Sequence, residues 1–186
     1  MEQYHKVLPA GVRVYEGYNA GLPLRAWYVQ VDEKDPGITT RVVVSEDEDR
    51  RESATSFANA LGACVVVNGG YFRMDLMPAQ HVGLLMMDGI IVEPPTWSVL
   101  REEVRFHLAR AALGFHRDGT IDVAWVVQRG DTLMEMVQPP NNRPGVPETS
   151  IDAKAILPWP MRDALAAGPC LISDGAIHIT ANEEVF

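Results

Sequence analysis

Asp-Gly pairs separate short apolar runs at three places in the chain, and they constrain the fold more than any other feature. The pairs are Asp88-Gly89, Asp118-Gly119 and Asp174-Gly175. Both residue types tolerate positive φ at the central positions of a tight turn, so each pair predicts a β-hairpin. Apolar alternation and β-branched residues predict further strands over Leu24 to Val31 and Thr40 to Val44, as antiparallel neighbours.

Helix signals are fewer than strand signals. Apolar spacing between a capping Ser53 and a terminating Gly62 predicts one amphipathic helix. Pro160 and Gly168 bound a second, shorter helical pattern, PMRDALAAG. The proline-rich stretch from Gln138 to Ser150 predicts a loop. The expected class is α+β: a mixed, largely antiparallel sheet with several tight hairpins and two or more flanking helices, in a single domain over residues 1–186.

Composition and charge exclude several classes of protein. The chain has 186 residues, 47% of them hydrophobic, and a formal net charge of −9, which argues against a nucleic-acid partner. No apolar run has the roughly 20 residues that a membrane span needs, and the first residues contain no signal-peptide core. As given, the chain reads as cytoplasmic; if it was trimmed, a secreted origin stays open. Cys64 and Cys170 lie in apolar settings and are interpreted as buried thiols rather than a bridge.

Motifs for cofactors and metals are missing from the sequence. No two histidines have metal-ligand spacing, and no nucleotide-binding or dinucleotide-binding glycine loop is present. The sequence therefore predicts neither a metal nor a cofactor.

The most informative segment runs from Cys64 to Phe72, with the sequence CVVVNGGYF. A buried branched strand is expected to end at Asn68, where Gly69 and Gly70 let the backbone approach a ligand and leave the Asn68 amide free to bind it. The alternative is an ordinary tight hairpin turn, since Asn-Gly is a favoured turn pair.

The order of the segments resembles one known family. A helix ending in ALGA is followed by VVVNGGYF, GLLMMDGII, ALGFHRDGTI and AAGPCLISDGAI. This series, from about Trp27 to the C-terminus, is similar to the phosphodiester glycosidase family, which includes N-acetylglucosamine-1-phosphodiester α-N-acetylglucosaminidases and bacterial proteins linked to exopolysaccharide. The resemblance implies a hydrolase that cleaves the sugar-to-phosphate bond of a sugar-1-phosphodiester, with a carbohydrate-phosphate site built from loops.

The resemblance also implies which residues bind the ligand. Asn68 and Gly69 match the family's Asn-Gly, and Phe72 matches the aromatic residue that follows. Gly83 matches the glycine that opens the next strand, and Gly168 matches the turn before the late hairpin.

Charged residues near these segments are the candidates for catalysis. A phosphate departs as a stable anion, so one carboxylate with cationic or N–H support can suffice, and Asp75 and Glu184 are the candidates. Arg73 is placed to meet an anionic ligand, and His81 to donate to a phosphate or act as an acid or base. The alternative, which is the more common role of such residues, is a solvated loop acid for Asp75 and Glu184, an exposed loop histidine for His81 and a surface ion pair for Arg73. Among the tryptophans, Trp97 in a proline-flanked loop is the candidate floor for a sugar.

Family members continue with an Arg-containing strand and an Asp-Gly-Gly-Gly-Ser-like loop after the region that matches here. We therefore expect a second chain or a C-terminal fragment to complete the fold, with a shortened, inactive relative as the alternative. The expected ligand is a carbohydrate or a sugar phosphate. The rival function is a non-catalytic carbohydrate-binding or structural module of the same fold.

Overall fold

A computed structural model describes residues 7–148 and 156–186 of the chain. Contacts between residues divide the chain into two compact units, Met1–Thr40 and Arg41–Phe186. The single domain expected from chain length stays a prediction, and each unit is described by itself.

The first unit contains one antiparallel hairpin. Its strands are β1 (Val12–Asn19) and β2 (Leu24–Val31), paired residue for residue from one end to the other. The predicted strand from Leu24 to Val31 is therefore confirmed. The rings of Tyr15 and Tyr28 stack across the pair with centroids 4.6 Å apart, a cross-strand contact that stabilises the ribbon.

The second unit is built around a seven-stranded sheet. Its elements in chain order are α1 (Ala54–Leu61), β3 (Phe72–Arg73), β4 (Gln80–His81), β5 (Leu85–Met87), β6 (Ile90–Glu93), β7 (Ser98–Arg101), β8 (Val104–His107), β9 (Arg110–Phe115), β10 (Ile121–Arg129), β11 (Thr132–Met136), β12 (Ile156–Pro158), β13 (Asp163–Ala166), β14 (Ile172–Ser173) and β15 (Ala176–Ile177). The strand order in the large sheet is β12-β11-β10-β9-β13-β5-β6. The other strands form the two-stranded ribbons β3-β4, β7-β8 and β14-β15.

Buried residues cover both faces of the large sheet. Along β10, Ala124 and Val126 belong to one buried cluster, whereas Trp125 and Val127 belong to another. Successive side chains of a strand point to opposite faces, so this division shows that the centre of the sheet is enclosed on both sides. The central residues of β10 are therefore all apolar, rather than apolar and polar in alternation.

All three Asp-Gly hairpins predicted from the sequence are confirmed. Asp88-Gly89 and Asp174-Gly175 form two-residue turns, with positive φ at both positions, between directly paired strand ends. The turn at Asp118-Gly119 is wider, because the first pair it connects is Phe115 with Ile121. Only the glycine of that pair has a positive φ, 89°.

The predicted helix between Ser53 and Gly62 is confirmed with its caps. The Ser53 side chain accepts a hydrogen bond from the Ser56 N–H, and Gly62 takes the left-handed conformation that ends many helices. The predicted loop from Gln138 is also confirmed as far as residue 148, and its last two residues lie outside the described ones.

The predicted fold class is wrong. The described residues form a mostly β structure with a single short helix, and their recorded strand pairs are all antiparallel rather than mixed. The second predicted helix, PMRDALAAG, contains strand β13, which lies between β9 and β5. Between two strands, the backbone N–H and carbonyl groups of a segment form hydrogen bonds with both neighbours. This tertiary effect overrides the local preference of the segment for a helix.

Two other local predictions are also wrong. The segment from Thr40 to Val44 forms no strand, because β1 is the partner of β2. The run from Cys64 to Val67 forms no strand either, and Val67 is 78% exposed. β-branched residues favour a strand where a neighbour and a buried face are available, and this run pairs with none of the described strands.

The two cysteines differ in burial. Cys170 is buried as predicted, whereas Cys64 is exposed, and both thiols are free.

Candidate functional site

The loop Asn68 to Gly70 packs against the end of β13. A Cβ added at Gly70 would lie 2.2 Å from the Ala166 carbonyl oxygen and 2.5 Å from His81 Cε1. A Cβ at Gly69 would lie 3.1 Å from Leu165 Cδ1. At Gly70 the backbone therefore approaches β13 and an imidazole ring of the protein itself, and the predicted approach to a ligand stays a prediction. The Asn68 residue itself is exposed.

Gly83 packs against the same strand end. It has a φ of 92°, and an added Cβ would lie 3.3 Å from the Ala166 Cβ. Gly168 differs, because nothing lies within 4 Å of its added Cβ. The structure thus brings Gly70, His81 and Gly83 together around Ala166, with Gly168 two residues beyond it.

His81 lies opposite Phe72 in the β3-β4 ribbon and is half-buried. Its Nε2 atom is buried and makes no hydrogen bond of good geometry with the described residues. Burial lowers the pKa of His81, an effect that the nearby Ala166 and Leu84 carbonyls and the Glu93 carboxylate partly oppose. At neutral pH the ring is therefore uncharged, and it packs on Gly70 rather than presenting Nε2 to solvent.

Arg73 and Asp75 form an exposed ion pair with two hydrogen bonds. Arg73 Nη2 donates to Asp75 Oδ2 at 2.6 Å and Nε donates to Oδ1 at 3.2 Å. The hydrogen bond from Arg73 holds the pKa of Asp75 below its usual range, and the same bond raises the pKa of Arg73. Both side chains are consequently charged at neutral pH.

The backbone around Asp75 is held in place from outside its own loop. Arg51 Nη2 donates to the carbonyl oxygens of Met74 and Leu76, at 2.7 and 3.0 Å. The Ala79 N–H donates to the Asp49 carbonyl at 2.9 Å. These bonds fix the turn that carries the carboxylate while leaving the carboxylate exposed.

Register separates the candidates on the β3-β4 ribbon into two sets. Phe72 pairs with His81, and Arg73 pairs with Gln80. Because directly opposite residues share a face and neighbours alternate, Phe72 and His81 lie on one face and Arg73 on the other. The structure therefore brings His81 to the Gly70 loop and does not bring it to the Arg73–Asp75 pair.

Glu184 lies in a different environment, with no exposed surface. One carboxylate oxygen accepts from the indole N–H of Trp125 at 3.1 Å, the Cys170 N–H at 2.9 Å and the Thr180 hydroxyl. The other accepts from the Ala111 N–H at 2.7 Å. With its oxygens occupied and enclosed, this carboxylate is suited to holding the C-terminal turn onto the sheet rather than to meeting a substrate.

Comparison with known proteins gives no match to a protein-family model, a curated protein or a solved structure. Within residues 7–148 and 156–186, no helix has the length and apolar character needed to cross a bilayer. The same residues contain no group of three His, Cys, Asp or Glu side chains arranged to hold a metal ion.

Sequence reasoning missed the contribution of β13. Leu165 and Ala166 form the surface on which the glycine loop rests, yet their segment was predicted to be helical. Four residues give too short a window to separate a strand from a helix by periodicity. The close approach at Gly70 becomes visible only once the strand order is known.

Proposed function

We propose that this protein is a hydrolase that cleaves the sugar-to-phosphate bond of a sugar-1-phosphodiester. The observation that carries the proposal is the exposed, charged Arg73–Asp75 pair, three residues after the Asn68–Gly70 loop, on a turn fixed by Arg51. A guanidinium suits a phosphodiester, and a carboxylate suits the positive charge that develops at an anomeric carbon. The resemblance of the sequence to phosphodiester glycosidases supports the same chemistry.

The reaction breaks the bond between the anomeric carbon and the bridging oxygen. The bridging oxygen leaves with the phosphorus as a phosphomonoester, and the oxygen of water adds to the anomeric carbon. One proton is released to solvent, and the free sugar is the second product. Arg73 binds the departing phosphate, and Asp75, ionised at neutral pH, stabilises or attacks the anomeric carbon.

The Asn68 amide and the exposed peptide of Gly69 bind the sugar or the phosphate in this proposal. Gly70 and His81 act as positioning residues, because their mutual packing sets where the loop lies on β13. Phe72, half exposed beside them, offers an apolar surface to the sugar ring.

A non-catalytic carbohydrate-binding protein is the second candidate. The observation that favours it is the separation of Arg73 and His81 on opposite faces of the β3-β4 ribbon, which keeps the imidazole away from the Arg73–Asp75 pair. Such a protein would be stabilised by the ligand and would release no sugar.

Replacing Asp75 by asparagine tests the hydrolase. On a panel of sugar-1-phosphodiesters, N-acetylglucosamine among them, we expect Asp75→Asn to lower the rate of free-sugar release by about 100-fold or more, because an amide cannot stabilise the developing cation. The melting temperature should stay close to the original, since the pair is exposed.

Asp174→Asn is the matched control. Asp174 is also an exposed acid, and asparagine followed by glycine suits its two-residue turn, so this variant should keep both fold and rate. Equal rates in Asp75→Asn and Asp174→Asn would remove Asp75 from the mechanism. Ligand-induced stabilisation with no sugar released by the unmodified protein would favour the binding module instead.

A further inference from the structure

A cleft of about 380 Å³ lies between the segment that precedes β7 and the end of β10. Its lining includes Trp97, which is 65% exposed, and Leu108, which is fully buried. The Leu108 N–H donates to the Trp97 carbonyl at 2.9 Å, so the backbone that carries the indole is fixed. The cleft therefore presents an exposed aromatic side chain on a fixed backbone.

Four polar residues also line the cleft, among prolines, valines and Ile156. They are Thr96, His107, Gln128 and Arg129. The His107 ring lies 6.0 Å from the Trp97 ring, and the Gln128 amide is oriented by donating to the Gly130 carbonyl at 2.7 Å. Among the described residues that line the cleft there is no Asp or Glu, although the whole chain carries a net charge of −9.

We propose that this cleft binds an anionic oligosaccharide. The apolar face of a pyranose ring stacks on Trp97, while its acidic group meets Arg129 and its hydroxyl groups meet His107. The volume is that of an ordinary small-ligand site.

A short series of contacts leads from one residue of the cleft to the Asn68 loop. Thr96, which lines the cleft, has its Oγ1 atom 3.9 Å from the position of a Cβ added at Gly83. Gly83 packs on Ala166, on which Gly70 also packs. If the proposed function holds, the saccharide in the cleft is the part of the sugar-1-phosphodiester substrate that lies beyond the cleaved bond. The substrate class is then an acidic oligosaccharide.

Titration calorimetry on the full chain tests binding without requiring turnover. The probes are a hexamer of galacturonic acid and, as its neutral counterpart, maltohexaose, both at low ionic strength. Trp97→Ala should raise the Kd for the acidic hexamer about tenfold or more, as expected of a central aromatic contact. Trp27→Ala, which removes another exposed indole, should leave the Kd unchanged.

The charge contribution is tested in the same way. Arg129→Gln should raise the Kd about fivefold and reduce its dependence on salt. Arg117→Gln, at another exposed arginine, should do neither.

Several outcomes would overturn the inference. Maltohexaose binding as tightly as the acidic hexamer would show that charge plays no part, and an unchanged Kd in Trp97→Ala would place binding elsewhere. If neither hexamer binds while small sugar-1-phosphodiesters are hydrolysed, the cleft inference fails and the proposed function stands. If the acidic hexamer binds as expected but no phosphodiester is cleaved, the proposed function fails and the cleft stands.

Discussion

Replacing Glu184 by alanine is expected to lower the free energy of unfolding by about 4 kcal/mol. The substitution leaves three buried donors without an acceptor: the indole N–H of Trp125 and the backbone N–H groups of Ala111 and Cys170. The Thr180 hydroxyl also loses its bond to Glu184 and keeps only the Cys170 carbonyl, at 3.3 Å. Each buried donor without a partner costs about 1–3 kcal/mol, and the removed side chain leaves a cavity. Denaturant unfolding followed by tryptophan fluorescence measures the change.

Two variants separate the hydrogen bonds from side-chain volume and charge. Glu184→Gln keeps one carbonyl oxygen and nearly the same volume, so it should lose about half as much stability. Glu183→Ala should be nearly neutral, because the hydrogen bond recorded for Glu183 uses its backbone carbonyl. A Glu184→Ala protein as stable as the Glu183→Ala protein would contradict the structural role of this carboxylate.

Replacing Gly70 by alanine is expected to destabilise the protein by about 3 kcal/mol. The new Cβ would lie 2.2 Å from the Ala166 carbonyl oxygen and 2.5 Å from the His81 ring, so one of them has to move. The carbonyl belongs to β13, whose Ala166 N–H donates to the Leu84 carbonyl at 2.9 Å, and it cannot retreat without disturbing the sheet. Thermal and denaturant unfolding both report the loss.

Gly168→Ala is the matched control for this substitution. Nothing lies within 4 Å of a Cβ at Gly168, so the stability of that variant should change by no more than about 0.5 kcal/mol. If Gly70→Ala and Gly168→Ala unfold at the same denaturant concentration, the Asn68 loop does not pack on β13 as described.

Local signals predicted the parts of the fold that depend on local chemistry. The Asp-Gly turns and the helix between Ser53 and Gly62 are determined by φ preferences and capping, which a few adjacent residues contain. The β13 strand and the unpaired run before Asn68 depend on which strands lie beside them. Such information is not present in a window of four to eight residues, so both were assigned to the wrong type of structure.

The sequence likewise predicted some features of the candidate site and not others. The glycines at 69 and 70 predicted a close backbone approach, because only the absence of a Cβ permits it. The burial of Glu184 was not predictable, because its neighbours in ANEEVF give no sign of enclosure. The pairing of Arg73 with Asp75 follows from a turn held by Arg51, which lies more than twenty residues earlier in the chain.

The position of bond cleavage tests the central claim most directly. A sugar-1-phosphodiester is hydrolysed in water enriched in the heavy isotope of oxygen, and the two products are examined by mass spectrometry. We predict that the heavy oxygen is found at the anomeric carbon of the released sugar and that the phosphomonoester is unlabelled. Heavy oxygen in the phosphomonoester would show attack at phosphorus and would contradict the assignment of the protein as a glycosidase.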